Sequence, residues 1–111
     1  YVPGWHFPGG GVEVGETLEE ASAKEMREEG HLISDGPAEL HGVFFNRQVS
    51  RRDHVAVFVY RHARQTAPFP GNAEIAEARF FALDALPPDT TRATRRRLDE
   101  VLHGAPKSAD W

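Results

Sequence analysis

The stretch GGVEVGETLEEASAKEMREEGHL, Gly10 to Leu32, decides the fold. From Thr17 to Glu29 it contains neither Gly nor Pro and consists mostly of good helix formers. Thr17 followed three residues later by Glu20 has the form of a capping box, so a helix is expected to begin there. Gly30 is well placed as the left-handed residue that ends it. With Glu25 as the origin and about 100° per residue, Leu18, Ala21, Ser22 and Glu29 fall within about 60° of it, and Glu28 lies at the edge of that face. Glu19, Glu20, Ala23 and Arg27 take the opposite side. An acidic helix is ordinarily a solvated face with i,i+4 ion pairs, which accounts for Glu19 and Glu20. It does not account for Glu25, which must point inward beside Leu18 and Ala21. A buried carboxylate needs a basic partner or a bound cation. Three carboxylates at i, i+3 and i+4 offer the hard oxygen ligands that Mg²⁺ or Mn²⁺ prefers.

The charge of the whole chain concentrates in this segment. Its 111 residues carry 17 acids and 13 Lys or Arg, a net charge of −4. Seven of those acids and two of the bases lie between Glu13 and Glu29, which leaves ten acids and eleven bases elsewhere. So weak and localised a charge argues against non-specific nucleic-acid binding. No apolar run approaches the roughly eighteen residues that span a bilayer, so no membrane partner is expected. The absence of cysteine excludes disulfides, a thiol nucleophile and cysteine-ligated zinc. With no signal peptide visible, a cytoplasmic location is the default expectation.

Outward from the helix, Tyr1 to Gly11 reads as loop with room for a short strand. Glu39 to Phe45 is expected to be a strand, and Asn46 to Asp53 a polar loop. His54 to Arg61 carries the strongest strand signal. Val55, Val57 and Val59 share one face and Ala56, Phe58 and Tyr60 the other, so a central strand covered on both sides is expected. Ala63 to Ala73 reads as loop and Ala78 to Leu83 as another strand. Thr90 to His103 reads as a closing helix with Leu98, Val101 and Leu102 on one face and Gly104 past its end. Residues 1–104 are thus expected to be one domain, with 105–111 a frayed tail. The pattern implies an α/β fold in which a mixed sheet lies between helical layers. Few strands are visible for such a sheet, and the expectation is that N-terminal strands are missing from this chain. A sheet so shortened must expose an edge, recruit a partner chain as in a homodimer, or be completed by further residues.

The segment resembles the Nudix signature, G-x5-E-x7-R-E-U-x-E-E-x-G-U with U a bulky apolar residue. Gly10, Glu16 and Lys24-Glu25-Met26-Arg27-Glu28-Glu29-Gly30-His31-Leu32 fall at that spacing. The approach Trp5-His6-Phe7-Pro8-Gly9-Gly10-Gly11, the stretch Glu13-Val14-Gly15-Glu16-Thr17 and the later Glu77-Ala78-Arg79-Phe80-Phe81 are similar to the family's usual surroundings. The resemblance implies a Nudix-type α/β/α sandwich and a pyrophosphohydrolase that needs Mg²⁺ or Mn²⁺. Water would attack a phosphorus of a nucleoside diphosphate linked to another moiety. It further implies Glu25, Glu28 and Glu29 as metal ligands, with Glu25 orienting or deprotonating the water. Glu16 would support the site from the loop, and the backbone carbonyl of Gly9 or Gly10 would add a metal contact. In some members the base comes from a later loop, for which Glu74 and Glu77 stand available; ordinary loop acids are the alternative.

Two positions depart from the signature. Lys24 replaces the Arg that, in the family, ties loop to helix, and it lacks the planar bidentate fork. His31 replaces a Gly. Either the helix ends one residue earlier, at Gly30, or His31 takes a strained left-handed turn. These departures leave open a second function, a nucleotide-binding or regulatory module with weak or no catalysis. Elsewhere, Arg95, Arg96 and Arg97 read as a solvated face that pairs with Asp99 and Glu100. Arg47, Arg51 and Arg52, in the loop between the strands, are candidates to meet substrate phosphates. No P-loop, dinucleotide turn, nucleophile elbow or zinc spacing occurs.

Overall fold

Helix α1, Leu18–Gly30, starts where Thr17 and Glu20 cap it reciprocally. Thr17 Oγ1 accepts from the Glu20 amide at 3.0 Å, and Glu20 Oε1 accepts from the Thr17 amide at 2.9 Å. The structure is a computed structural model that describes residues 4–72, 75, 78, 80–82 and 84–111. At the far end of α1 the expectation for Gly30 is corrected. Gly30 remains in the helix and is buried; His31 is the left-handed residue, at φ 54 and ψ 38. A Cβ on Gly30 would stand 3.0 Å from Leu32 Cδ1, so the glycine serves close packing rather than the turn.

His31 leads directly into β1, Leu32–Ser34, which pairs antiparallel with β4, Ala63–Gln65. The Ala63 to Ala73 stretch, read as loop, therefore opens as a strand. Three-residue strands carry no usable periodicity, and only their pairing defines them. Strands β2, Ala38–Phe45, and β3, His54–Tyr60, form a second antiparallel pair, from Ala38 opposite Tyr60 to Phe45 opposite His54. Between Leu40 and Gly42 the register slips, and the bulge sends the His41 side chain towards the last helix. β3 is half-buried along its length after His54, not enclosed, and β2 is its strand partner among the described residues. The described part of the expected strand at Ala78 to Leu83 (Ala78, Phe80, Phe81 and Ala82) is not in a strand; Arg79 and Leu83 lie outside the described residues. Parallel pairing occurs as two isolated bridges, Trp5 with Thr90 and Phe45 with Asp110. The result is an α/β fold of antiparallel strand pairs and two helices, with α1 packed on β1 and β3.

Helix α2, Arg92–His103, is capped by Thr91 and ends at Gly104 in the left-handed region, as expected. Its inward face is not the expected one. Leu98 and Val101 are half-buried and Leu102 is exposed, whereas Thr94, Arg97 and Glu100 are buried. Arg97, read as solvated, is 1 % exposed, with its guanidinium carbon 3.9 Å from the centroid of the Phe44 ring. It donates from Nη2 to Glu100 Oε2 at 3.0 Å, and His41 Nε2 lies 2.8 Å from Glu100 Oε1. The tail is docked rather than frayed. The Phe45 amide donates to Ala109 O at 2.7 Å and the Trp111 amide to Phe45 O at 2.9 Å, so residues 109–111 extend the edge of β2. The Trp111 ring covers the Arg97 guanidinium from a second side, at 5.1 Å. No helix among the described residues is long and apolar enough to cross a membrane.

Candidate active site

The acidic face of α1 meets the glycine loop that precedes it. The Gly9 amide donates to Glu29 Oε2 at 3.0 Å, across twenty positions of sequence. Glu29 is 9 % exposed, so this hydrogen bond answers part of the cost of bringing a carboxylate inward. A Cβ placed on Gly10 would stand 2.7 Å from Glu25 Oε1. Any residue other than glycine would displace that carboxylate, which explains a glycine here by space alone. Glu25 is half-buried and Glu28 exposed. Ala21, Glu25 and Glu29 turn inward along α1, whereas Leu18, expected on the same face, is exposed; Glu25 and Glu29, one turn apart, both lie against the Gly9-Gly10 backbone.

A second set of contacts fixes where the loop enters the helix. The Glu16 amide donates to Glu13 O at 3.2 Å, and the Glu13 amide donates back to Glu16 Oε1 at 2.8 Å. Gly15, at φ 84, supplies the left-handed residue inside this turn. Lys24 then joins helix to loop, with Nζ 3.0 Å from Glu16 Oε2 and 3.5 Å from Glu13 Oε2. The ammonium bridges two carboxylates where a guanidinium fork would grip one. The Glu13 amide first, and Lys24 second, hold the Glu16 carboxyl below the usual carboxylate value. Its hydrogen bond to Glu16 raises the Lys24 ammonium above the usual lysine value. Sequence reading missed Glu13 as a member of this clasp. Its only signal was an acid three residues before Glu16, which a turn brings alongside.

The other candidates are distributed differently. Glu74 and Glu77 lie outside the described residues. Arg47 donates from Nη2 to Asp110 Oδ1 at 2.6 Å and lies over the Phe45 ring. Arg51 and Arg52 are exposed in the β2–β3 loop. That loop joins the far end of the strand pair. Tyr60, at the near end, reaches α1 through a hydrogen bond between its hydroxyl and Ser22 Oγ. Seven residues of strand, about 20 Å, separate the two ends.

Among the described residues no three His, Asp or Glu side chains converge closely enough to hold a metal ion by themselves. The donors present still fit a hard divalent cation. Mg²⁺ is commonly bound through one or two carboxylates and completes its shell with water and substrate phosphate oxygens. Glu25 and Glu29 are such a pair, and glycines at 9 and 10 keep the adjoining space free of side chains.

The family model of the NUDIX domain matches residues 1–102. The chain belongs to the Nudix family. Its Nudix segment is the loop and helix just described, with the Lys24 clasp in the place of the family's arginine. The chain is also similar to an ADP-ribose pyrophosphatase of Methanocaldococcus jannaschii, 38% identical over 81 residues. That alignment covers 73% of this chain and 47% of the relative, so the chain spans about half the length of the curated protein it matches. No solved structure gives a significant match.

Proposed function

We propose that this Nudix domain is a metal-dependent pyrophosphohydrolase. Its substrate would be a nucleoside diphosphate linked to another moiety, and ADP-ribose is the first compound to test. The observation that carries the reading is the placing of the Glu25 and Glu29 carboxylates against the Gly9-Gly10 backbone. The M. jannaschii relative is named for ADP-ribose, which supports the choice of that compound.

Glu25 and Glu29, joined by the exposed Glu28, would hold Mg²⁺, and the carbonyl of Gly9 or Gly10 is a further oxygen donor beside them. When bound, a divalent cation offsets diphosphate charge and lowers the pKa of an attacking water. The chain's own residues do the positioning. The Gly9 amide holds Glu29 in one orientation, and Gly10 lets the loop approach Glu25. Lys24, Glu16 and Glu13 tie the loop to the helix that carries the carboxylates. Glu25 is the first candidate to take a proton from the water, with Glu74 and Glu77 as alternatives by sequence. Arg51 and Arg52, exposed in the β2–β3 loop, and Arg47, paired there with Asp110, lie at the end of the strand pair away from α1, which argues against a phosphate-facing role for them.

The test is incubation of the protein with Mg²⁺ and a panel containing ADP-ribose, nucleotide sugars, dinucleotides and nucleoside triphosphates. Hydrolysis of ADP-ribose at its diphosphate releases AMP and ribose 5-phosphate. The expected result is turnover that chelation abolishes and that Glu29→Gln lowers by about 100-fold or more. Activity that survives Glu29→Gln would overturn the metal site. Calorimetric binding of a nucleotide without Mg²⁺-dependent turnover would favour the binding-module alternative.

A further inference from the structure

His31 is the one non-glycine residue with positive φ among the described residues, and it sits at the end of the helix that carries Glu28 and Glu29. A histidine is a poor choice for a left-handed turn on backbone grounds, since a side chain there costs energy that glycine avoids. The glycine beside it, Gly30, is committed to packing against Leu32. Something about the side chain or its surroundings must offset the strain.

The surroundings supply it. The His31 carbonyl accepts two hydrogen bonds from Thr66, from the amide at 2.8 Å and from Oγ1 at 3.0 Å. Gln65 Nε2 donates to the neighbouring Gly30 carbonyl at 3.0 Å. The imidazole meets the Phe69 ring edge-to-face, with centroids 5.3 Å apart. Its Nδ1 is buried without a hydrogen-bond partner. A ring nitrogen left unanswered while the ring is packed on an aromatic face indicates that the ring works by its shape and not as a donor or acceptor. The last turn of α1 is thus joined to the start of the segment after β4 by three hydrogen bonds and a ring contact, all within residues 30–31 and 65–69.

We propose that His31 is a positioning residue. Its ring, through Phe69, holds the segment 66–72 beside the end of α1 that carries Glu28 and Glu29, so that this segment would wall a substrate bound at those carboxylates. The proposal rests on the pyrophosphohydrolase reading for the substrate, but the anchoring itself does not.

The experiment compares His31→Asn, His31→Phe, Phe69→Ala and the double variant His31→Asn with Phe69→Ala. Asn tolerates the left-handed turn yet lacks a ring, and Phe keeps a ring without the nitrogens. Two readouts are taken. Hydrogen exchange over residues 66–72 reads the anchor without catalysis; it should quicken in His31→Asn and Phe69→Ala and stay near the wild-type rate in His31→Phe. Steady-state kinetics with ADP-ribose and Mg²⁺ read the wall. KM should rise about two- to tenfold in His31→Asn and Phe69→Ala with kcat nearly unchanged, the span that one aromatic contact supports. The double variant should be no worse than the worse single one. Destabilisation alone would instead lower kcat, through loss of active protein, and leave KM in place. Unchanged exchange in His31→Asn overturns the anchor. Quickened exchange with unchanged KM overturns the wall. Wild-type protein that turns over no diphosphate in the panel overturns the wall together with the functional reading, and leaves the anchor to stand or fall on exchange.

Discussion

Two helices of this protein turn a glutamate inward, and they treat it differently. On α2, Glu100 is 8 % exposed, faces Arg97 with both oxygens and shares Oε1 with His41 Nε2. On α1, Glu29 is 9 % exposed and is held by the Gly9 amide in a loop whose glycines present no side chain. Burial is nearly equal, so burial alone does not separate a structural carboxylate from a functional one. The described partners do differ, side chains around Glu100 and a loop amide on Glu29. Around Glu100 the space is filled by a guanidinium that Phe44 and Trp111 cover on two adjoining sides. The described neighbours of Glu25 and Glu29 include the backbone of the Gly9-Gly10 loop, and Gly10 keeps it close.

The largest effect that tests this contrast is on stability. Arg97→Ala leaves the inward Glu100 without its cation and Phe44 without its cover, and should cost about 3–5 kcal/mol. Denaturant unfolding measures it, and for a domain whose total is about 5–15 kcal/mol the loss is severe. Glu29→Gln should change stability far less than that. Equal losses for the two variants would break the comparison, since Glu29 would then be as structural as Glu100.

Next in size is Gly10→Ala. The added methyl meets the Glu25 carboxylate at 2.7 Å, and the flexible end of that side chain can move aside. Unfolding stability should therefore change little. The displacement of a reacting group by about 1 Å is worth about 100-fold in turnover, or about 2.7 kcal/mol of barrier. Wild-type rates in Gly10→Ala would show that Glu25 need not sit where the loop places it.

The smallest effect concerns the clasp and its pH dependence. The Glu16 carboxyl is held below its ordinary 4.5, first by the Glu13 amide and then by Lys24. A lowered carboxyl contributes stability that is present above 4.5 and is lost as pH falls through the lowered value. The Lys24 ammonium is raised above its ordinary 10.5. Its contribution is complete below 10.5 and is lost as pH rises through the raised value. Between these limits the clasp is intact. Carboxyl titration by NMR should place Glu16 below 4.5, and Lys24→Ala should restore part of the shift while the Glu13 amide keeps the rest. A Glu16 midpoint at 4.5 or above in the wild-type protein would remove the clasp from the argument.

The sequence by itself determined α1, its capping box and the inward face that carries Glu25 and Glu29. Those features arise from neighbours three and four residues apart, and helical geometry converts such spacing directly into a face. The cap of α2 at Gly104 and the β2 and β3 strands were legible for the same local reason. Tertiary structure alone decided the rest. β1 and β4 are too short to carry a period and exist through their pairing. Arg97 is buried because Phe44, Glu100 and Trp111 meet there from three separate parts of the chain, and no window of sequence contains all of them. The tail is ordered by the edge of β2, which its own composition does not reveal. The left-handed turn moved from Gly30 to His31 because Leu32 needed the space that glycine leaves. Local periodicity names the residues that can face inward. Which partner meets them there is a property of contacts between segments distant in sequence, and only the folded chain brings those together.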